Sequence, residues 1–228
     1  MHEITPGRWY SGADLNEVLR YSGVRNAEEC SQSLIDEAVQ AINQVGESSS
    51  PKSISRECSL QISGDLCVID GMEFTSRSLA EHLEGCDRAL LFAATLGSGA
   101  DMLIHRYSAV RMSYAVLLQG AAAALIELYC DSECALLEAK YENEGCVLLP
   151  RFSPGYGDFP LKYQNALTDY ISAYKYTGIA VSGGGQMTPM KSVTAVIGIS
   201  RTPRSSRGSC ASGKCAGCPN TYCLFRRV

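Results

Sequence analysis

The chain has little of what most enzyme active sites are built from. Its 228 residues include only three histidines, His2, His82 and His105, which stand far apart and indicate structural roles. Its glycine-rich stretches lack the residues that complete a phosphate-binding loop. No nucleophile elbow and no Ser/His/Asp pattern occur. The sequence therefore gives no support to a hydrolase or a nucleoside triphosphatase.

Membrane and export signals are also missing. No apolar run reaches the ~20 residues that a membrane span requires. The first ten residues lack the basic-then-apolar pattern of a secretory signal. Apolar content is 46% and mean hydropathy is −0.04, which is ordinary for a globular protein. We expect a cytoplasmic protein that has no contact with a membrane.

Acids are missing from the end of the chain. Residues 201–228 carry six Lys or Arg and no Asp or Glu, whereas the whole chain has a net charge of −4. The other 200 residues therefore have a net charge of −10. An acidic body has no electrostatic footprint for nucleic acid, so we expect no nucleic-acid partner. The basic tail is either simply solvated or contacts an acidic protein.

Cysteine, in contrast, is abundant, with eleven in the chain. Seven of them are scattered, mostly within apolar segments, and are interpreted as small buried hydrophobic residues in a reducing compartment. These seven are Cys30, Cys58, Cys67, Cys86, Cys130, Cys134 and Cys146.

The other four cysteines crowd into the tail as Cys210-x4-Cys215-x2-Cys218-x4-Cys223. Four thiols this close together can bind one tetrahedral zinc ion or an iron–sulfur cluster. The spacing does not separate zinc from a cluster. A reduced flexible tail and a pair of disulfides remain as alternatives.

The hydrophobic pattern predicts a mixture of strands and helices without regular alternation. The order favours an α+β fold over a doubly wound sheet. Residues 88–95 form a nearly continuous apolar run, which is typical of a central strand. Predicted strands cover 54–62, 66–74, 88–95 and 192–200, with a bend or bulge expected at Ile69-Asp70-Gly71. Predicted helices cover 16–21, 27–45, 100–107, 112–141 and 161–174.

Composition divides the chain into three parts. Residues 1–50 form a helical segment that ends in a Ser-Ser-Ser-Pro linker and is expected to pack on the body through Trp9 and Tyr10. Residues 51–201 form the core. Residues 202–228 form the Cys-rich basic tail.

One stretch, residues 151–160 (RFSPGYGDFP), holds two prolines, two glycines and three aromatic residues. The guanidinium group of Arg151 is planar, and its N–H donors have a geometry suited to a carboxylate. Gly155 allows a ligand to approach the main chain, and Tyr156 offers a π-face to a cation. The loop fits a small zwitterionic or cationic ligand with a flat ring. The alternative is a tightly packed connection.

The segment RFSPGY resembles the Arg-x-x-x-Gly-Tyr loop of the activation domain of cobalamin-dependent methionine synthase. Segments 120–127, 180–183 and 187–199 agree with that family in order, and the resemblance covers residues 88–200. The family implies a mixed α/β body around a curved, mainly antiparallel sheet. The match is to stand-alone members without the substrate and cobalamin modules.

The resemblance implies a binding site for S-adenosylmethionine. Arg151 matches the arginine that holds the ligand carboxylate, and Ser153 lies where a main-chain group faces adenine. Gly155 and Tyr156 match the Gly-Tyr of the motif. Glu127 aligns with a helical glutamate near the ligand, with an ordinary solvated glutamate as the alternative.

Three departures from the family pattern occur, the first of which is Gly157-Asp158-Phe159-Pro160, where the loop of the family continues with an Ala-Cys-Pro stretch. Val193 and Thr194 stand where the family has a tyrosine pair. Met187-Thr188-Pro189 stands where it has a His-Pro step.

The family resemblance implies a stand-alone reactivation module. It would present the methyl group of adenosylmethionine for reductive methylation of cob(II)alamin held by methionine synthase or another corrinoid protein. Flavodoxin or ferredoxin would be the electron-donating partner, or the tail itself if it holds an iron–sulfur cluster. The rivals are a corrinoid-protein adaptor that does not bind adenosylmethionine and a Cys-cluster electron-transfer protein.

Overall fold

The computed structural model describes residues 3–24 and 30–201. In this part the helices are α1 (Leu15–Tyr21), α2 (Gln32–Ser48), α3 (Arg77–Leu83), α4 (Ser98–Val110), α5 (Met112–Glu142), α6 (Gln164–Tyr170) and α7 (Ala173–Thr177), with a 3-10 turn at Leu161–Tyr163. The strands are β1 (Lys52–Ser63), β2 (Leu66–Ile69), β3 (Met72–Thr75), β4 (Arg88–Thr95), β5 (Val147–Leu148), β6 (Ala180–Val181), β7 (Met187–Thr188) and β8 (Ser192–Ser200).

Six strands form one antiparallel sheet in the order β3-β2-β1-β4-β8-β5. The apolar run predicted as a central strand is β4, which pairs with β1 along one edge and β8 along the other. Seven of its eight residues are buried. The expected α+β fold with a mainly antiparallel sheet and flanking helices is therefore confirmed.

Alternation along β4 divides the interior into two clusters. Leu90, Phe92 and Ala94 face the cluster that contains α1, α2, α4 and α5. Leu91 and its odd-numbered neighbours face a second cluster that contains α3, α6 and α7. We call these sides the long-helix face and the short-helix face.

The long-helix face includes a close approach between two helix backbones. A Cβ added at Gly120 of α5 would lie 2.1 Å from Ser22 Oγ and 2.7 Å from the carbonyl oxygen of Val18 in α1. The expectation that Gly120 and the nearby alanines allow close approach to a neighbouring element is confirmed. Tyr10, 1% exposed, likewise fills the space over Gly46 in α2, where any Cβ would clash with its ring.

Helix α5 is the one described helix whose length and apolar composition would suit a membrane span. Most of its apolar stretch is buried inside the described part of the protein. It packs against α1, α2 and α4. This is the behaviour of a core helix.

One predicted element is broken in the structure, and one predicted bend is confirmed. The helix predicted over 161–174 divides at Ser172, which adopts a left-handed conformation with φ of 55°. The segment 66–74 folds back at the expected bend, at Asp70, φ 44°, and Gly71, φ 83°, and forms the separate strands β2 and β3. Asp70 accepts hydrogen bonds from the amide and hydroxyl of Ser59 on the neighbouring strand, both at 2.7 Å, which stabilise the tight bend.

Candidate functional site

The loop 151–160 begins beside the centre of β8. Phe152 and Val196 exchange two main-chain hydrogen bonds of 2.9 and 2.8 Å, which anchor the start of the loop. The chain then turns, with the Tyr156 amide donating to the Ser153 carbonyl at 3.0 Å. The loop therefore has a defined conformation on the sheet.

Asp158 ties the far side of the loop to the N-terminus of α3. Its carboxylate accepts hydrogen bonds from the Ser76 hydroxyl at 2.6 Å and from the amides of Arg77 and Ser78 at 3.0 Å each. These hydrogen bonds hold the pKa of Asp158 well below its usual range, and the one from Ser76 has the largest effect. Gly157, φ 53°, is required beside it because a Cβ would lie 2.5 Å from Ser78 Oγ.

Aromatic rings support the loop from the short-helix face. Phe159, 1% exposed, contacts the ring of Phe74 edge-on at 6.0 Å and stacks on Tyr163 at 5.7 Å. Phe152 lies 6.2 Å from Phe159 and 5.9 Å from Tyr156. Tyr156 ends this chain of rings and is 43% exposed.

A cleft of about 260 Å³ opens next to the loop. It lies where α5, the loop, the turn before β7 and the start of β8 meet. Four of the five predicted binding residues line it. The full lining is Glu127, Arg151, Ser153, Pro154, Tyr156, Leu161, Gln164, Gly185, Met187, Ser192, Val193 and Thr194.

The fifth predicted residue, Gly155, shapes the cleft from behind. It has φ of 96°, and a Cβ there would lie 3.3 Å from the side chain of Leu161, which lines the cleft. Its amide donates to the Phe159 carbonyl at 2.7 Å. The Gly155 N–H is therefore engaged within the loop, and the contribution of this glycine is conformational.

Arg151 is the most buried charged side chain of the cleft, at 2% exposure. Its Nη2 lies 2.8 Å from Glu127 Oε2 and 2.8 Å from Asp131 Oδ1. Its Nη1 donates to Cys134 Sγ at 3.5 Å. Glu127 and Asp131 are one helical turn apart on α5, so that both carboxylates reach the same nitrogen.

The electrostatics keep this guanidinium charged. Burial by itself would lower the pKa of Arg151, but Cys130 and Cys134, whose effect requires their thiolate forms, and then the Glu127 and Asp131 carboxylates raise it above its ordinary value. Burial also raises the pKa of the Cys130 thiol. Cys130 is therefore an uncharged packing group, as the sequence indicated for the scattered cysteines.

Sequence reasoning linked Arg151 to a ligand carboxylate and missed that Asp131 contacts it. The only signal was the i, i+4 spacing of Asp131 from Glu127, which many surface helices share. Sequence reasoning also missed Gln164, which is 3% exposed and lines the cleft. It lies at the start of α6, in a predicted helix that no motif connected to the loop.

The cysteines predicted to bind zinc or an iron–sulfur cluster, Cys210, Cys215, Cys218 and Cys223, lie outside the described residues. Among residues 3–24 and 30–201, no group of three or more His, Cys, Asp or Glu side chains is arranged to hold a metal ion.

Comparison with known proteins finds solved structures of similar fold. No protein-family model matches the chain, and no curated protein matches its sequence. A crystal structure titled as the MetH reactivation domain bound to AdoHcy superimposes with a TM-score of 0.56 and 16% identity. The match covers 77% of this chain and 67% of that one. This chain has the fold of the MetH reactivation domain.

Proposed function

We propose that the protein is a stand-alone reactivation module that binds S-adenosylmethionine in the cleft. It presents the sulfonium methyl group to the cobalamin of methionine synthase or a related corrinoid protein. One observation carries this proposal. In a chain with the fold of the MetH reactivation domain, the Arg-x-x-x-Gly-Tyr loop borders an open cleft in which Arg151 and Glu127 are in contact.

The residues of the cleft suit such a ligand. Adenosylmethionine carries a carboxylate, an ammonium, a sulfonium and a flat purine. Arg151 and Glu127 provide charges of both signs, and Leu161, Met187 and Val193 provide apolar surface. The volume of about 260 Å³ is slightly below the usual range for small-molecule sites, and the cleft is open to solvent on one side.

Each predicted binding residue has a role in this proposal. The Arg151 guanidinium binds the ligand carboxylate through donor positions that Glu127 and Asp131 leave available. Glu127, whose side chain is 30% exposed, faces the ligand's ammonium. The main chain at Ser153 contacts the adenosine end, Gly155 allows the turn, and the exposed ring of Tyr156 covers the ligand.

The chemistry demanded of the protein is positional. Adenosylmethionine supplies an activated methyl group, and the sulfonium is already a good leaving group. The partner's cob(II)alamin gains one electron from flavodoxin or ferredoxin and takes the methyl group, while AdoHcy is the other product. The cleft holds the donor in a fixed orientation at the surface, where a cobalamin on another chain can reach it.

Calorimetric titration with adenosylmethionine tests the binding step. Tyr156→Ala removes an exposed ring at the cleft, and Tyr174→Ala removes a 74% exposed ring on α7 as the matched control. We expect saturable binding by the wild type, a roughly tenfold loss for Tyr156→Ala from one lost aromatic contact, and no change for Tyr174→Ala. Equal affinities for all three proteins would contradict the proposed pocket.

A second experiment tests the partner. A cobalamin-binding methionine synthase lacking its own reactivation domain is mixed with this protein, a reductant and radiolabelled adenosylmethionine. We expect methylcobalamin to form only when this protein is present. Methylation at the same rate without it would remove the reactivation role and leave ligand binding alone.

A corrinoid-protein adaptor that binds no adenosylmethionine is the second candidate, and two observations favour it. Val193 and Thr194 line the cleft at the positions of the family's tyrosine pair. Arg151 is 2% exposed and already paired with two carboxylates. The adaptor would be favoured if the protein associates with the corrinoid protein while titration with adenosylmethionine gives no heat of binding.

We further propose that Cys210, Cys215, Cys218 and Cys223 bind zinc or an iron–sulfur cluster, as their spacing suggests. An electron-transfer role follows only if a cluster is present. Metal analysis and visible absorbance after anaerobic purification separate the two metals. A Cys215→Ala variant that retains full metal content would remove the site.

A further inference from the structure

Asp131 adds a negative charge beside the cleft, and it lies outside the Arg-x-x-x-Gly-Tyr loop motif. It does not line the cleft, yet its carboxylate lies 2.8 Å from the same Arg151 nitrogen that Glu127 contacts. Glu127 and Arg151 are the residues with charged side chains among those that line the cleft. Without Asp131 these two would be electrically neutral together.

With Asp131, the three side chains carry one net negative charge. Arg151 keeps its positive charge, because the acidic groups around it raise its pKa. The guanidinium is nearly buried, and the carboxylates are about one-third exposed, with side-chain exposures of 30% and 31%. The cluster therefore presents a negative rather than a neutral potential to a ligand in the cleft.

The proposed donor and its product differ in charge at one atom. Adenosylmethionine has a carboxylate, an ammonium and a sulfonium, so its net charge is +1. AdoHcy has a neutral thioether sulfur and a net charge of zero. A site with a net charge of −1 attracts the donor more strongly than the product.

We propose that Asp131 is a specificity-determining positioning residue that makes the cleft prefer the cationic sulfonium donor over its neutral thioether product. Asp131 acts through Arg151. Its carboxylate contacts the guanidinium but does not line the cleft, and its charge sets the sign of the cluster. This inference rests on the proposed function. It also explains release of the product, because loss of the methyl group removes the positive charge that favours binding.

The test measures the ratio of two affinities by calorimetry on the full chain. Asp131→Asn keeps the size of the side chain and removes one negative charge. We expect the preference for adenosylmethionine over AdoHcy to fall by about three- to tenfold. AdoHcy itself should bind as well or better, because Arg151 becomes more available to its carboxylate.

Two controls separate charge from structure. Glu142→Gln removes an acid from the exposed end of the same helix and should leave the ratio unchanged. An adenosylmethionine analogue with an amine in place of the sulfonium carries the same net charge, so Asp131→Asn should weaken it as much as the donor. Raising the salt concentration should reduce the wild-type ratio as well.

The outcomes are distinct. If Asp131→Asn weakens both ligands by the same factor, Asp131 has only a structural role and the inference is wrong, while the proposed function stands. If the wild type binds AdoHcy as tightly as adenosylmethionine, the inference is wrong as well. If the wild type binds neither ligand, the proposed function fails first.

Discussion

The two faces of the sheet are built in different ways. On the long-helix face, helices of 7 to 17 residues pack around the 31-residue α5, and the contact between α1 and α5 is so close that it requires glycine. On the short-helix face, helices of five to seven residues are joined by turns, and rings such as Phe74 and Phe159 fill the space between them. Side chains pack both faces, but close backbone approach is added on the long-helix face, whereas aromatic rings fill the short-helix face.

The cleft lies at the junction of these two faces, and each contributes a different property. The carboxylates of Glu127 and Asp131 come from the middle of α5, so that the long-helix face fixes the charge. Tyr156 and Pro154 come from the loop that packs on the short-helix face. The negative charges of the site are therefore carried by a long core helix, whereas the shape of its loop wall depends on the packing of aromatic rings.

We expect the largest loss of stability from a substitution that removes an aromatic ring from the short-helix face. Phe159→Ala removes a ring that contacts Phe74 and Tyr163, and we expect the free energy of unfolding to fall by about 3–5 kcal/mol. Chemical denaturation measures this. The loop loses its support at the same time, so ligand binding should weaken even at temperatures where the variant remains folded. Unchanged binding in the folded variant would show that the loop holds its shape without the rings.

A smaller effect is expected on the long-helix face. Gly120→Ala places a methyl group 2.7 Å from the Val18 carbonyl oxygen, so α1 must move away from α5. We expect a loss of about 1–2 kcal/mol by denaturation, although alanine favours the helix itself. Gly183→Ala, with no atom within 4 Å of the new methyl, is the control and should be neutral. Binding in the cleft should be retained by both variants.

The third prediction concerns the junction. Arg151→Met leaves the Glu127 and Asp131 carboxylates without their shared guanidinium, and we expect a loss of about 2 kcal/mol, moderated by their partial exposure. Adding Asp131→Asn to Arg151→Met should recover part of that loss, since one of the two like charges is removed. Denaturation of the single and double variants gives the comparison. A double variant less stable than Arg151→Met would show that Asp131 stabilises the fold through other contacts.

The smallest effect depends on pH. Hydrogen bonds from Ser59 and then Tyr170 lower the pKa of Asp70 to about 2. A depressed carboxyl pKa contributes stability above its unfolded value near 4, and this contribution disappears as pH falls toward 2. Asp70→Asn should therefore lower the melting temperature by a few degrees at pH 7 and by progressively less at pH 3 and pH 2. The amide nitrogen of Asn cannot accept the hydrogen bond that Tyr170 donates to Oδ2. A difference in melting temperature that is independent of pH would exclude this charge-dependent contribution.

Local patterns predicted the fold well because its main signals are local. The strand β4 is a nearly continuous apolar run, and the helix α5 is a long uninterrupted helical pattern, so that each is visible in its own segment of the sequence. The division at Ser172 was not predicted, because its left-handed backbone is not marked by a glycine at that position. The loop motif identified Arg151, Ser153 and Tyr156 as neighbours because they lie within six residues of one another.

The sequence by itself determined the strand and helix types, the residues of the loop and the acidic character of the body, since these depend on composition and short spacings. Only the tertiary structure decided that Arg151 lies between Glu127 and Asp131, and that Asp158 binds the start of α3. Those partners are 20 to 82 residues apart in the chain. Contacts at such distances depend on how the sheet brings the long-helix and short-helix faces together, and no local pattern records that arrangement.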